Sequence, residues 1–281
     1  MPGSDYRVGQ GGWQLGDSPA AANEEKRALR LGLELGMRLI DTAEMYGDGR
    51  SERLIADALR GVPRDEYTLC SKVYPHNAGM PAIFRSCENS LRCLGTDYLD
   101  LYLLHWRGSI PLQETVAGME ELVRMGKIKR WGVSNFDVSD MEELWSVPGG
   151  DRCAANQVLY HIGSRGAEYD LLPWLGAHDV TMMAYCPLAQ GGRLRRTAPD
   201  FSAEPTLLGI SGKYGVSVFQ IMLAFVLRQP GTIAIPKAGK TAHTRQNAEA
   251  AQLARTIAIE DWKALDGVYW PPTAKMHLDI E

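Results

Sequence analysis

Three apolar stretches in the first half of the chain end in groups capable of proton chemistry: Leu39-Ile-Asp41, Leu69-Cys-Ser-Lys72 and Leu103-Leu-His105, with Tyr46 five residues after the aspartate. A tyrosine hydroxyl, with a reference pKa of about 10, is a weak acid at neutral pH, but an adjacent ammonium favours the phenolate and brings the group closer to working range. Lys72 can act on Tyr46 in this way, and Asp41 can hold Lys72 charged and in place. His105 can donate a hydrogen bond that orients a carbonyl oxygen. Such a set protonates an oxygen while another group delivers hydride. No side chain is a hydride donor, so the chemistry implies a nicotinamide cofactor. Each strand end alone reads equally well as a solvated terminus; four such groups ending three consecutive strands point to one spot.

For these residues to meet, the strands that carry them must be neighbours. Short runs rich in Val, Ile, Leu and Tyr alternate with longer stretches of helical period, the pattern of βαβ units. Strands are predicted over Arg7–Gly9, Leu39–Asp41, Thr68–Lys72, Leu99–His105, Arg130–Ser134, Ala154–Gln157, Thr181–Tyr185 and Thr232–Pro236. Between them, Ile83, Cys87, Leu91 and Leu94 recur on one helical face, as do Val116, Met119, Leu122 and Val123. Val218–Leu227 is apolar enough to be a buried helix. Eight strands with intervening helices predict an α/β fold, a single (β/α)8 TIM barrel over residues 1–281, with a doubly wound sheet as the alternative. In a barrel, function belongs at the C-terminal ends of the strands, where Asp41, Lys72 and His105 fall.

Composition narrows the remaining classes. The 281 residues are 45% apolar and 23% charged, enough for a sizeable core and unlike a disordered chain. A net charge of −4 lacks the basic excess that a nucleic-acid phosphate backbone demands. No apolar run reaches the length of a membrane span, and the N-terminus has no apolar signal-like core. Five cysteines without a C-x-x-C pair read as thiols in a reducing compartment. Gly9-Gln-Gly11-Gly-Trp-Gln14 lacks the third glycine of a dinucleotide-binding fingerprint, and Gly239-Lys240-Thr241 lacks the first glycine of a phosphate loop. The six histidines form no zinc-binding pattern. Cytoplasmic, metal-free chemistry on a small molecule is expected.

The residues in order resemble the aldo-keto reductase family. Asp41, Tyr46, Lys72 and His105 match that family's catalytic tetrad, and Gly9-Gln-Gly-Gly-Trp13, Gly132-Val-Ser134-Asn135-Phe, Asn156-Gln157, Tyr185-Cys-Pro187-Leu188 and Ile235-Pro-Lys237 extend the likeness over nearly the whole chain. Trp131-Gly-Val-Ser-Asn, Asn156-Gln-Val-Leu-Tyr-His161 and Tyr169-Asp-Leu-Leu-Pro-Trp174 are similar to the bacterial methylglyoxal-reductase branch. The resemblance implies a (β/α)8 barrel that reduces small aldehydes and ketones with NADPH, the proton coming from Tyr46. It implies that Ser134, Asn135 and Gln157 hold the nicotinamide carboxamide, that Tyr185 stacks on the nicotinamide and that Leu188 runs beside the pyrophosphate. Lys237, with His243, Arg245 and Asn247, would face the adenosine end and its 2′-phosphate. Two positions depart from the family: His243 stands where an arginine is frequent, and Cys186 replaces a usual serine. Without the family match, Ser134 and Asn135 also read as a helix cap and Tyr185 as part of the barrel wall.

By position, Trp13, Tyr74 and Trp106 would wall the substrate site, an aromatic lining with few polar anchors. The loop after His105 and the tail after Tyr269 are short, which predicts a shallow pocket favouring electrophilic carbonyls such as methylglyoxal and activated aromatic aldehydes. A short N-terminal tail is expected to cover the barrel bottom, a C-terminal extension to follow the last helix, and the chain to work as a monomer. A cofactor-binding regulatory or structural protein of the same fold is the competing reading.

Overall fold

A computed structural model describes residues 7–192 and 200–281. The N-terminal tail expected beneath the barrel falls mostly in residues 1–6, outside the described residues. Eight parallel strands pair in chain order: β1 (Gln10–Gly11), β2 (Leu39–Asp41), β3 (Thr68–Val73), β4 (Leu99–Leu104), β5 (Ile128–Ser134), β6 (Ala155–Leu159), β7 (Thr181–Tyr185) and β8 (Thr232–Ala234). Val8 bridges Ala234 in parallel, and the Gly9 amide donates to the Ala234 carbonyl at 2.8 Å, so the first and last strands meet and the sheet curls into a (β/α)8 barrel. A doubly wound sheet stays open and reverses its strand order, so the unbroken order β1 to β8 and this closing contact exclude it.

The predicted first strand, Arg7–Gly9, lies three residues early. Arg7 and Gly9 bond through their backbones to Ala234 of β8, and the ladder to β2 begins at Gln10, paired with Ile40. Two glycines and no β-branched run beyond Val8 leave this strand without a sequence pattern of its own.

Helices cover the outside, among them Ala82–Leu94, Leu112–Arg124 and Val218–Leu227. Ile83, Cys87, Leu91 and Leu94 are buried, as one helical face predicts. Helix Val218–Leu227 opens with Ser217, whose hydroxyl accepts from the Gln220 amide while the Gln220 side chain reaches back to the Ser217 amide. Among the described residues no single helix is long and apolar enough to cross a membrane.

The barrel lumen decides where function sits. Leu39, Cys70, Leu101, Leu103, Ala155, Met183, Ile233 and Ile235 form one buried apolar cluster inside it. Side chains alternate along a strand, so the residue two positions further on faces the same axis one layer higher. Leu39 leads to Asp41, Cys70 to Lys72, Leu103 to His105, Ala155 to Gln157, Met183 to Tyr185 and Ile235 to Lys237. An apolar plug therefore carries a polar layer on its upper surface.

Gly132 is the position in β5 where this plug has no space. A Cβ there would overlap the Ala155 carbonyl oxygen and lie 2.9 Å from Leu103 Cδ2. Gly132→Ala should therefore lower stability by about 2 kcal/mol through overpacking. A thermal melt should show a midpoint lower by roughly 3–4 °C, and an unchanged midpoint would contradict this packing.

Candidate active site

Lys72 is fully buried, and all three of its ammonium protons are used. Nζ donates to Asp41 Oδ2 at 2.8 Å, to the Thr42 carbonyl at 2.8 Å and to the Tyr46 hydroxyl at 3.1 Å. β2 and β3 bring this about through their register, Asp41 beside Cys70, which leaves Lys72 two residues further along the adjacent strand, within reach of the Asp41 carboxylate. The second Asp41 oxygen accepts from Gln157 Nε2 at 2.8 Å, a bond that spans the lumen from β6. Thr42 and Ser51 share a 2.9 Å hydroxyl bond, and Ser51 Oγ donates to the Gly12 carbonyl, fixing the loop that carries Tyr46.

Burial sets the protonation states. It works against the Lys72 ammonium, yet Asp41, with support from Tyr46, carries its pKa above the ordinary lysine value. Burial also pushes the Tyr46 phenol up; the Lys72 ammonium pulls it down by less, and Asp41 opposes that pull. The expected pull from Lys72 is present, but the cost of desolvating a phenolate outweighs it. Tyr46 thus keeps its proton. Burial, joined by repulsion from Lys72, lowers His105 to about 2, so its imidazole is neutral. His105 Nδ1 is buried without a hydrogen-bond partner, and the ring lies 5.8 Å from that of Tyr46.

These groups form the floor of a cavity of about 630 Å³. Asp41, Tyr46 and His105 reach its surface, whereas Lys72 sits beneath. Trp13 and Trp106 stand on its wall, Trp13 edge-on to Tyr46 at 5.0 Å. Tyr74 does not line it: β3 ends at Val73, and Tyr74 packs edge-on behind Trp106 at 5.9 Å.

A second stretch of lining runs along the ends of β5 to β8. Ser134, Asn135, Gln157, Tyr185, Leu188, Lys237, His243 and Asn247 all belong to it. Ser134 Oγ donates to the Gln157 carbonyl at 2.7 Å, and the Tyr185 hydroxyl donates to Asn135 Oδ1 at 2.9 Å. Asn135 Nδ2 in turn donates to the His105 carbonyl at 3.3 Å. Neither Ser134 nor Asn135 caps the next helix; Asp137 does, in a capping box with Asp140. After β7 the backbone turns left-handed at Cys186, Ala189 and Gln190, a conformation non-glycine residues rarely adopt, and it lays main chain along the cavity.

Arg245 does not line the cavity. On helix Thr241–Thr256, His243, Gln246 and Asn247 share a face at i, i+3 and i+4, while a residue two positions from His243 points elsewhere. The same spacing could have identified Gln246. Gln190, Phe219, Ile280 and Glu281 are further lining residues that the strand-end argument missed, because none sits on a strand. The short tail after Tyr269, read as leaving the pocket shallow, crosses its face: Lys275 pairs with Asp137 and Asp170, Ser164 donates to Asp279, and the Glu281 amide donates to the Tyr185 hydroxyl at 3.3 Å.

Residues 7–269 match the profile of the aldo/keto reductase family. The chain belongs to this family. It is an oxidoreductase. Over 273 residues it is 50% identical to the methylglyoxal reductase YeaE of Escherichia coli, covering 97% of this chain and 94% of that protein. It is 33% identical to a glyoxal reductase of Bacillus subtilis, over 88% of this chain and 84% of that one. The crystal structure of an aldo/keto reductase from Klebsiella pneumoniae in complex with NADP and acetate superposes with a TM-score of 0.94 at 51% identity, covering 98% of this chain and 95% of the other.

The neutral, buried imidazole of His105 has a consequence for stability. An unfolded histidine takes up a proton below about pH 6.5 and the folded one does not, so stability is full above that pH and is lost as pH falls toward the folded value. His161, lowered to about 4 by burial against the opposing pull of Asp279, acts in the same sense. Urea titrations between about pH 6 and 4.5 should show His105→Gln losing stability less steeply than the wild type, by roughly 1.4 kcal/mol per pH unit. Equal slopes would mean that His105 is protonated in the folded protein.

Proposed function

We propose that this oxidoreductase reduces small aldehydes and ketones to alcohols with NADPH, methylglyoxal-type dicarbonyls and activated aromatic aldehydes being its preferred substrates. The observation that carries the reading is the Tyr46 hydroxyl, still protonated, at the floor of the cavity and 3.1 Å from the buried Lys72 ammonium.

The lining fits the cofactor by its sequence of chemistries. Polar groups of Ser134, Asn135 and Gln157 suit a carboxamide, the Tyr185 ring offers an aromatic face, the main chain beside Leu188 suits a diphosphate, and Lys237 with His243 and Asn247 offers charge and hydrogen bonds to a phosphate monoester. When bound, NADPH supplies the hydride for the carbonyl carbon. Tyr46 donates its proton to the carbonyl oxygen as charge gathers there. Lys72 stabilises the resulting phenolate, and Asp41 holds Lys72 in position. Neutral His105 orients the oxygen without competing as an acid. Trp13 and Trp106 exclude water and present apolar surface to the rest of the substrate.

Two facts support the substrate class: the 50% identity to a methylglyoxal reductase and the apolar wall of Trp13, Met45 and Trp106. Recognition then depends on the reactivity of the carbonyl more than on remote contacts.

Tyr46→Phe should lower kcat for methylglyoxal by about 100-fold or more while NADPH binding, read by fluorescence quenching, stays within about twofold. A Phe variant keeping more than about a tenth of wild-type turnover overturns the role. Lys237→Ala should lower the ratio of kcat/KM for NADPH over NADH by roughly tenfold, the value of one charge-assisted contact. An unchanged ratio removes Lys237 from phosphate recognition.

A further inference from the structure

Glu44 has no place in the proton chemistry, although it lies between Asp41 and Tyr46 in sequence. Its side chain is half-buried and committed to the next loop. Oε1 accepts from the Tyr74 backbone amide at 2.7 Å and from Asn77 Nδ2 at 3.3 Å, while the Glu44 amide donates to the Lys72 carbonyl at 3.3 Å. One residue thereby joins the loop bearing Tyr46 to the segment that follows β3.

That segment supports the cavity wall. Tyr74 stacks on His76 at 4.8 Å and meets the edge of Trp106 at 5.9 Å, and Trp106 is 4.9 Å from His105. With Tyr46 and Trp13, the rings form a continuous series from the cavity floor to the surface at His76. The segment is also keyed to the loop carrying Trp106: a Cβ on Gly108 would come within 2.5 Å of Pro75 Cβ, so only glycine allows the two loops to close together. At its far end, the Met80 amide donates to Glu114 Oε1 at 3.0 Å. Carboxylates thus fix both ends of residues 74–80, and Glu44 fixes the end nearest the cavity.

We infer that Glu44 is a positioning residue for substrate selection: by holding the Tyr74 amide it sets the position of Trp106, and with it the fit of aromatic substrates. This rests on the carbonyl-reductase reading above and adds to it a determinant that touches neither cofactor nor substrate. A small dicarbonyl held at Tyr46 and His105 has no ring to lay against Trp106, 4.9 Å from His105. An aromatic aldehyde has one, so loss of the Glu44 contact separates the two.

The test compares Glu44→Ala and Glu44→Gln with the wild type, using methylglyoxal and 4-nitrobenzaldehyde. Glu44→Ala should raise KM for 4-nitrobenzaldehyde roughly tenfold, the value of one lost aromatic contact, while kcat falls less than about twofold and KM for methylglyoxal rises less than about threefold. Glu44→Gln keeps an oxygen facing the Tyr74 amide and should restore the wild-type KM. Hydrogen exchange gives a readout independent of turnover: the Tyr74 amide should exchange faster in Glu44→Ala and at the wild-type rate in Glu44→Gln. Equal loss on both substrates, or unchanged exchange at Tyr74 in Glu44→Ala, overturns the inference. A wild type that reduces neither aldehyde counts against the proposed function, and exchange at Tyr74 then decides the positioning role alone.

Discussion

The structure is organised around one ammonium group out of reach of water. Removing an ion of this kind from water costs several kcal/mol even after relaxation, and the cost is offset only where every proton of the ion finds a well-placed acceptor. Lys72 meets that condition with a carboxylate, a carbonyl and a phenol. Asp41 is held from its other side by Gln157, so the charge pair is braced across the lumen and not only between adjacent strands. Barrel closure is what makes the brace possible, since β2 and β6 face each other only when the sheet curls.

The apolar layer below gives the pair its effect. Leu39, Cys70, Leu103, Ala155 and Met183 exclude water from beneath the polar layer, so the fields of Lys72 and Asp41 act on their neighbours with little screening. His105 is kept neutral by the same burial and by Lys72, and Tyr46 keeps its proton although an ammonium adjoins it. One acid that retains its proton and one imidazole that stays uncharged are therefore products of a common environment, and not of two separate adjustments.

Above this layer the loops divide the work. Those after β5 to β8, together with helix Thr241–Thr256, supply most of the polar lining, while those after β1 and β4 build an aromatic wall that the segment after β3 backs. The C-terminal tail lies over the polar side of the cleft, tied to Asp137, Asp170 and Ser164 on its way to Tyr185. Left-handed residues at Cys186, Ala189 and Gln190 show that the cleft backbone is held where side-chain sterics alone would not place it.

Much of the site was legible in the sequence because strand periodicity is a local property. Asp41, Lys72 and His105 each lie two residues past an inward apolar position, and that arithmetic needs no knowledge of the fold beyond the strand itself. Seven of the eight predicted strands overlap the observed ones, the exception being Gln10–Gly11, where glycines carry no pattern. Contacts between separate loops were not legible. That Tyr74 supports Trp106 instead of lining the cavity, that Arg245 turns away while Gln246 faces in, and that Ile280 and Glu281 return to the mouth all depend on where chain segments far apart in sequence come to rest. The protonation states belong to the same class. The sequence named the charges that act on Tyr46, but only the folded barrel fixes how much water is excluded around it and that Lys72 also bears on His105, and here desolvation outweighs the pull of Lys72 on Tyr46.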